Sequence, residues 1–373
     1  MRRQIINLGL HPFADTFLSK NQLKLKEPLF PLKCFLDNRS GHIRNSIITS
    51  DYKRYNLYDY SYTSSNSNYS KTYWYNYSIH IAKKCNIKKH TKILEIGSND
   101  GYLLSHLKKY TKNIWGLDAS KFMSRLANKK GIKTFNHIFS QKVSDKIKKK
   151  INTVDVIIAN NVLNHSNDPL NFIIGVQNLL NEDGIFICEQ PYWYNLVKYK
   201  KFDQIYHEHI SYFTIKSLNN FFKKNDLNIY HIEKTPYHGG SIRVYAKKTR
   251  KIFKSKLVDK YIKKEKKIGL FKFSTYKKLM NNISKRKINF LKKINNYKNK
   301  NYKIIGVGAA AKANTFINYL KLNHNTLSYV TDSSMYKIGK FMPYSRIPIK
   351  SDNEIKKSKG KICAIILSWN LYK

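Results

Sequence analysis

The sequence predicts an α/β protein with a central doubly wound, Rossmann-like domain, a second, smaller Rossmann-like domain and a small amino-terminal domain. Two strand–turn–helix patterns, at residues 92–104 and 303–315, predict the two Rossmann-like domains. Between them, short apolar runs alternate with stretches of helical spacing, as in a βαβ array. The 373 residues leave room for two or three domains, and we predict them at 1–75, 76–250 and 251–373.

The composition indicates a globular protein with a large excess of positive charge. Hydrophobic residues make up 42% of the chain, which is too many for a disordered protein. The 70 Lys and Arg residues outnumber the 23 Asp and Glu residues, so the formal net charge is +47. Such a charge is typical of nucleic-acid-binding proteins, but here the lysines are spread throughout, without an Arg-rich stripe or a zinc finger. We interpret most of the charge as solvated surface that helps to attract an anionic substrate, and we expect no nucleic-acid partner.

The cysteines and the apolar runs narrow the class of protein further. Cys34, Cys85, Cys188 and Cys363 lie far apart and form no C-x-x-C pair, so neither a disulfide framework nor a zinc site is supported. The first residues are too charged for a signal peptide. No run of 18 apolar residues occurs, so we expect no membrane span and predict a cytoplasmic protein.

The stretch ILEIGSNDGYLL at 93–104 combines a buried strand, a glycine turn and the start of a helix. Gly97 and Gly101 lack a Cβ and let the backbone pass close to a ligand. Glu95 lies at the carboxyl end of the strand, where open α/β sheets bind their ligands. A carboxylate beside the loop favours a cationic amino-acid ligand over a phosphate. S-adenosylmethionine (SAM), which carries an ammonium and a sulfonium, fits this requirement, although a plain strand–turn–helix shows the same pattern.

A second acidic residue supports the SAM interpretation. The strand at 113–117 ends at Asp118, which follows Gly101 by 17 positions. A carboxylate can bind a ribose hydroxyl at a separation of about 20 residues, and a solvated turn is the alternative. The predicted cofactor-binding residues are Glu95, Gly97, Ser98, Asn99, Asp100, Gly101, Asp118 and Asn160.

Residues 202–213 bring two histidines, a glutamate and two tyrosines together. In an extended strand His207 and His209 would share one face and could bind a metal ion, but no third ligand has a matching spacing. We favour acid–base chemistry, in which one histidine removes a proton and a neighbouring carboxylate holds that histidine. A surface cluster without function is the third interpretation. His165 follows the strand at 154–159, which predicts a place in the same crevice as the SAM turn.

The second strand–turn–helix, at 303–315, contains Gly306, Gly308 and Lys312. The amino end of a helix together with a lysine is an anion site. The preceding stretch, 251–300, is rich in lysine and has apolar residues at helical spacing, so we predict a long amphipathic helical connector broken near Gly269.

Many short motifs follow one another in a recognisable order along nearly the whole chain. They are LGLHPFADTF, YSYTSSNS, LEIGSNDGYLL, NNVLNH, YHEHISYF, HGGSIRVY, GVGAAAKANT, TDSSMYKIGKFMP and SWN. Together they resemble the SAM-dependent sugar C-methyltransferases that act on TDP-4-keto-deoxysugars in antibiotic and surface-polysaccharide pathways. The resemblance implies an amino-terminal zinc-binding domain, a central SAM domain, a carboxyl-terminal Rossmann-like domain and a nucleotide-sugar substrate.

The resemblance also implies roles for individual residues. His209 would be the base that removes the proton next to the ketone, while donors such as His165 would stabilise the negative charge that develops on the keto oxygen. The resulting enolate carbon would attack the methyl group of SAM. The implied catalytic residues are His209, Glu208 and Tyr206, which would orient the base or line the sugar, and His165 with Tyr62 or Tyr60 at the keto oxygen. The implied substrate-binding residues are Tyr60, His238, Lys312 and Asn314.

Two departures from the family pattern lead to further expectations. Of the zinc cysteines only Cys34 is present, so we predict no zinc and expect the opening block to be held by packing against the SAM domain. The carboxyl-terminal domain is predicted to be shortened. Three alternatives stay open: an O-methyltransferase, a SAM-binding protein without turnover, and a basic nucleic-acid-binding module. The pyrophosphate of the substrate is expected at 306–312 or, alternatively, on the central domain.

Overall fold

The computed structural model describes residues 2–48, 50, 65, 67–249 and 255–370. Within these residues the strands form an antiparallel sheet of four, a mixed sheet of seven and a parallel sheet of four. The α/β class and the two Rossmann-like sheets that the sequence predicts are confirmed. No helix among the described residues is long and apolar enough to cross a membrane.

The antiparallel sheet contains β1 (Arg2–His11), β2 (Phe30–Asp37), β3 (His42–Asn45) and the distant β9 (Ser211–Tyr212), in that order. The ten-residue β1 is an element that the sequence analysis did not predict. Its residues alternate irregularly because its pairing with β2 is interrupted by two register shifts. The strand that joins from elsewhere in the chain, β9, follows directly after the predicted catalytic stretch.

An apolar core, without a metal group among the described residues, holds this sheet together. Leu32, Cys34 and Ile43 are fully buried in it. It is shared with Trp193 of the central domain and with Tyr276 of the following helices. The opening block therefore packs against the rest of the protein through its core.

The central sheet has the strand order β10-β11-β8-β7-β4-β5-β6. Strands β4 to β8 run parallel to one another, and β11 runs antiparallel between β8 and β10. The strands are β4 (Ile93–Ile96), β5 (Ile114–Asp118), β6 (Thr134–Asn136), β7 (Val154–Asn160), β8 (Leu180–Pro191), β10 (Leu227–Thr235) and β11 (Ser241–Lys248). From β4 the strand order runs to one side through β5 and β6 and to the other side through β7 and β8. The carboxyl ends of β4 and β7 therefore flank the crevice where such sheets bind ligands.

Helices cover both faces of this sheet. They are α1 (Asn68–Lys84), α2 (Tyr102–Leu107), α3 (Lys121–Lys129), α4 (Gln141–Ile151), α5 (Pro169–Leu179), α6 (Trp193–Tyr199) and α7 (Ile215–Lys223). Several begin at a serine, aspartate or threonine whose side chain accepts a hydrogen bond from a first-turn amide, as Ser67 does for α1 and Ser120 for α3. Such caps satisfy amides that would otherwise lack a partner.

Two helices, α8 (Lys256–Lys267) and α9 (Phe273–Asn299), connect the central sheet to the last one. The predicted break at Gly269 is confirmed, because this residue lies between the helices with a φ of 76°. Glu265 is fully buried near the end of α8 and accepts hydrogen bonds from the Tyr192 hydroxyl and from the amides of Ile215 and Lys216. The connector is thus tied to the first turn of α7.

The last sheet has the order β14-β13-β12-β15, and all its neighbours are parallel. Its elements are β12 (Lys303–Val307), α10 (Ala311–Leu320), β13 (Val330–Asp332), β14 (Ile349–Ser351), α11 (Asn353–Lys357) and β15 (Ile362–Ile366). The pairing of β13 with β12 begins at Val330, opposite Gly306. The Gly306–Lys312 turn lies at the carboxyl end of β12, beside that of β13.

We predict that the opening sheet is stabilised by its apolar core and not by a metal. Ile43→Ala removes a side chain that is 0% exposed, and should lower the free energy of unfolding in urea by about 2–5 kcal/mol. The control Ile48→Ala, at a position 48% exposed, should change it by about 0.5 kcal/mol or less. EDTA should leave the melting temperature of the wild type unchanged, and a clear drop would contradict this account.

Candidate active site

One cavity of about 680 Å³ lies between the carboxyl ends of the central strands and the last sheet. Ligand sites in proteins commonly have volumes of about 300–1,000 Å³. Its walls come from three parts of the chain: the central sheet, residues near His209, and the turn after β12. Of the predicted site residues, those lining it are Glu95, Gly97, Asn99, Asp118, Asn160, His165, Tyr206, His209, His238 and Lys312. Many of the predicted residues are therefore brought together in one place.

The glycine turn after β4 forms one wall of the cavity. Gly97 has a φ of 72°, and a Cβ built there would lie 2.1 Å from Val162 Cγ2. Gly101 has a φ of 74° and begins α2. At the end of β4, Glu95 is buried, and its Oε2 has no hydrogen-bond partner among the described residues. Burial, and then the charges of Asp100 and Asp118, raise the pKa of Glu95 well above its ordinary value.

Asp118 completes the acidic side of this wall. Its Oδ2 accepts a hydrogen bond from the Asn99 amide at 2.8 Å, and its Oδ1 accepts one from the Ser120 amide at 2.8 Å. Burial raises its pKa to about 6, although these hydrogen bonds lower it. The buried carboxylates of Glu95 and Asp118 would be stabilised by a nearby cation, which the ammonium of SAM can supply. Asp118, at the end of β5, is also suited to accept a hydrogen bond from the ribose of SAM.

Three predicted cofactor residues do not line the cavity. Ser98 and Gly101 lie within the turn and behind its surface. Asp100 accepts hydrogen bonds from the Ser65 hydroxyl at 2.5 Å and from Lys130 Nζ at 2.8 Å. These contacts indicate that the three residues shape the turn, and direct contact with the cofactor stays a prediction for them.

Two buried N–H donors lie in the walls of the cavity. Asn160 Oδ1 accepts a hydrogen bond from the Tyr77 hydroxyl at 3.3 Å, while its buried Nδ2 has no partner among the described residues. The same holds for Trp74 Nε1, on helix α1. Both residues line the cavity. They are suitable donors for the carboxylate of SAM; the sequence analysis missed Trp74 because only its burial, and no motif, distinguishes it.

His209, Tyr206 and His165 form a compact group in the middle of the cavity. The His209 Nε2 lies 2.6 Å from the Tyr206 hydroxyl oxygen, and its Nδ1 lies 3.2 Å from the Gln204 carbonyl oxygen. The ring of His165 meets that of His209 edge-on, with centroids 4.9 Å apart. Burial, and then the charges of His165, Lys312 and His238, lower the pKa of His209 well below its ordinary value. His209 is therefore a neutral imidazole.

The two other residues of the His-Glu-His run point elsewhere. His207 has its two ring nitrogens 3.3 Å from the carbonyl oxygens of Pro12 and Pro31. Glu208 Oε1 accepts hydrogen bonds from the amides of Ala14 and Asp15, at 2.8 and 3.1 Å. Glu208 thus anchors the opening block beside the catalytic stretch, and its predicted role in orienting His209 stays a prediction. No group of three His, Cys, Asp or Glu that could hold a metal occurs among the described residues.

The turn after β12 contributes a buried cation. Lys312 lies in the first turn of α10, is 7% exposed and lines the cavity. Its ammonium has no hydrogen bond or ion pair with the described residues, and burial lowers its pKa, against the charges of Asp203 and Asp15. Asn314, by contrast, donates to the Phe13 carbonyl at 3.3 Å and does not line the cavity. A buried, unpaired ammonium beside a helix amino end requires an anionic ligand.

The sequence analysis missed two further polar residues on this wall. Asp332, at the end of β13, accepts hydrogen bonds from the amides of Ala309 and Ser334 at 2.9 and 2.8 Å. Lys337 Nζ donates to the Ala309 carbonyl at 2.7 Å and lies 3.7 Å from Asp332. Asp332 is the last residue of β13, as Asp118 is the last residue of β5. The search for an acidic residue at the end of the second strand, which identified Asp118, would therefore also have identified Asp332. The predicted residues Tyr60 and Tyr62 lie outside the described residues.

Comparisons with known proteins agree with this architecture. Residues 77–232 match the model of a methyltransferase domain, and residues 236–373 match the model of a C-methyltransferase C-terminal domain. C-methyltransferase NovU of Streptomyces niveus is 24% identical over 375 residues, covering 98% of this chain and 87% of NovU.

Similar solved structures cover about half of the chain. A SAM-dependent methyltransferase from Clostridium acetobutylicum is 19% identical, with a TM-score of 0.38, and the match covers 48% of this chain and 92% of that one. Magnesium protoporphyrin IX methyltransferase from Synechocystis, with bound SAH, is 14% identical, with a TM-score of 0.38, over 48% of this chain and 83% of that one.

The chain is a class I SAM-dependent methyltransferase. Both matched domains occur in order, and over nearly all of its length the chain is similar to a C-methyltransferase.

We predict that the close approach of Gly97 to Val162 is essential for the SAM turn. Gly97→Ala adds a Cβ at 2.1 Å from Val162 Cγ2, so the turn must shift and SAM binding, measured by calorimetry, should weaken more than tenfold. Gly339→Ala is the matched control, because Gly339 has a similar φ of 83° but nothing within 4 Å of an added Cβ. Equal SAM affinity in both variants would show that the clash does not matter.

Proposed function

We propose that the enzyme transfers the methyl group of SAM to a carbon of a nucleotide-linked 4-keto-deoxysugar. The chemistry itself limits the substrate, because a carbon can attack a methyl group only when it carries a free electron pair. A carbon next to a ketone gains that pair when a base removes its proton. The neutral imidazole of His209 in the middle of the cavity supports this reaction. The bound SAM supplies the electrophilic methyl group.

The proposed chemistry needs the proton acceptor and the stabilising donors to lie on one sugar. His209 would take up the proton from the carbon next to the ketone, and His165, whose ring lies 4.9 Å from that of His209, would donate a hydrogen bond to the keto oxygen. Donors directed at an oxygen on which charge develops lower the barrier by several kcal/mol in enzymes, on the order of 3 kcal/mol for each donor. Tyr60 or Tyr62 is proposed as a second donor. The enolate carbon then attacks the methyl group.

The observation that carries the nucleotide part of the proposal is the buried ammonium of Lys312, which has no hydrogen bond or ion pair with the described residues. It lies at the amino end of α10 and lines the same cavity as His209. A diphosphate would supply the anion that this ammonium and the helix end require. Asp332, at the end of β13, is placed to accept from a ribose hydroxyl of the same nucleotide. The TDP linkage, and a role in deoxysugar or polysaccharide biosynthesis in the cytoplasm, rest on the motif resemblance.

The test of the function uses SAM and a panel of TDP-4-keto-deoxysugars in deuterated water, with products read by mass spectrometry and NMR. We expect a new methyl group on a carbon next to the ketone. His209→Ala should abolish it, with a loss of at least about 100-fold, because general base catalysis typically contributes that much. The exposed His90→Ala is the control and should keep full activity. A methyl group on oxygen would contradict the proposal, as would the absence of any methylated product.

We predict that Lys312 binds the diphosphate. Lys312→Met should weaken the binding of TDP, measured by calorimetry, by roughly 10- to 150-fold, since a hydrogen bond to a charged group contributes about 1.5–3 kcal/mol. Lys321→Met, at the exposed carboxyl end of the same helix, is the matched control and should bind TDP as the wild type does. Unchanged TDP affinity in Lys312→Met would place the diphosphate elsewhere, with the central domain as the alternative.

A further inference from the structure

The loop at residues 12–18 brings the opening block to the wall of the cavity. Of the described residues from 2 to 50, only Asp15 lines the cavity, where it is partly buried. Its carboxylate has no hydrogen bond or ion pair with the described residues. Because a carboxylate that is shielded from water needs hydrogen-bond donors, Asp15 is available to a ligand in the cavity.

The backbone of this loop is held independently of the Asp15 side chain. The Asp15 amide donates to Glu208 Oε1 at 3.1 Å. The carbonyl of Phe13 accepts a hydrogen bond from Asn314 Nδ2, on α10, at 3.3 Å. Two residues after Asp15, Phe17 is buried in the core of the last sheet. The position of Asp15 is therefore fixed by contacts with the catalytic stretch and with the last sheet, which leaves its carboxylate for another role.

Asp15 lies close to both groups that are expected at the ends of the sugar. Glu208, which accepts from the Asp15 amide, directly precedes His209, the proposed base. The ammonium of Lys312, the proposed diphosphate ligand, acts electrostatically on both Asp15 and His209. In a 4-keto-6-deoxysugar, the carbon that bears the diphosphate and the ketone are joined through C2 and C3 on one side of the ring. The other side contains the ring oxygen and C5, which offer no hydroxyl group, so the donors that can reach Asp15 are those on C2 and C3.

Asp15 is the charged member of a pair of carboxyl groups with Glu208. Burial raises the pKa of Asp15, while the charges of Lys337 and Lys312 lower it. Burial, and then the charge of Asp15, raise the pKa of Glu208 to about 7, although amide hydrogen bonds lower it. The ionised Asp15 can only accept hydrogen bonds. A bond from a hydroxyl group to a charged acceptor is stronger than one between neutral groups.

We propose that Asp15 is a specificity-determining residue, whose carboxylate accepts a hydrogen bond from a hydroxyl group on C2 or C3 of the keto sugar; this rests on the proposed function. The opening block thereby selects sugars that keep this hydroxyl group. A deoxy analogue is disfavoured because it leaves the carboxylate in the cavity without a donor. Asp15 takes no part in proton removal, which belongs to His209.

The test combines one change in the protein with one change in the sugar. Binding is measured by calorimetry with SAH present, for a TDP-4-keto-6-deoxysugar with hydroxyl groups on C2 and C3 and for its 2-deoxy and 3-deoxy analogues. The wild type should bind one of these analogues roughly 10- to 150-fold more weakly than the parent sugar, as expected for a lost hydrogen bond to a charged group. Asp15→Ala should bind the parent sugar and that analogue within about twofold of each other.

Thr16→Val is the matched control. It removes a hydrogen bond from the Thr16 hydroxyl to the Phe13 carbonyl, 3.1 Å long, within the same loop, and Thr16 does not line the cavity. A disturbance of the loop alone should change the affinities for all three sugars by the same factor. The variant should therefore keep the wild-type ratio between the parent sugar and its analogues.

Two results would overturn the role of Asp15. Equal affinity of the wild type for all three sugars would show that no ring hydroxyl is held. Discrimination by Asp15→Ala that matches the wild type would place the contact on another residue. The methylation assay tests the proposed function separately. A wild type that methylates a carbon but binds the three sugars equally refutes only the role of Asp15, whereas the expected binding pattern without any methylated product supports the Asp15 contact and refutes the proposed function.

Discussion

The placement of the segment 203–212 is the constraint on which the site depends. The hydroxyl of Thr315, on α10, donates to the carbonyl of Ile205 at 2.9 Å, and Glu208 accepts from the amide of Ala14 at 2.8 Å. The following strand, β9, pairs with β3 of the opening sheet. The backbone that carries His209 is therefore held by the first and the last parts of the chain, so the geometry of the base depends on the assembly of all of them.

Charge is divided across the cavity in a way that suits two different ligands. The carboxylates of Glu95 and Asp118 lie on the side of the central sheet, and the ammonium of Lys312 lies on the side of the last sheet. A cationic cofactor and an anionic nucleotide would each be attracted to the opposite charge. Because Lys312 opposes protonation of His209, a bound diphosphate that offsets its charge would raise the proton affinity of the base. Substrate binding would then prepare the base for the reaction.

The sequence was most informative where function requires a local backbone pattern. The positions of Gly97 and Lys312 follow from a strand–turn–helix pattern, which neighbouring residues determine. The sequence did not reveal that β9, a strand of two residues, joins a sheet more than 160 positions away, or that Glu208 binds the amides of residues 14 and 15. Such contacts depend on tertiary packing between distant segments, and no local periodicity records them.

The deep burial of His209 fits its proposed role as a base. An imidazole that is 4% exposed is protected from solvent protons, and because His209 lines the cavity, it can still contact a ligand bound there. Since the Gln204 carbonyl fixes the hydrogen on Nδ1, the acceptor at Nε2 does not depend on rotation of the imidazole. Burial then keeps the base neutral and so able to accept a proton from the substrate.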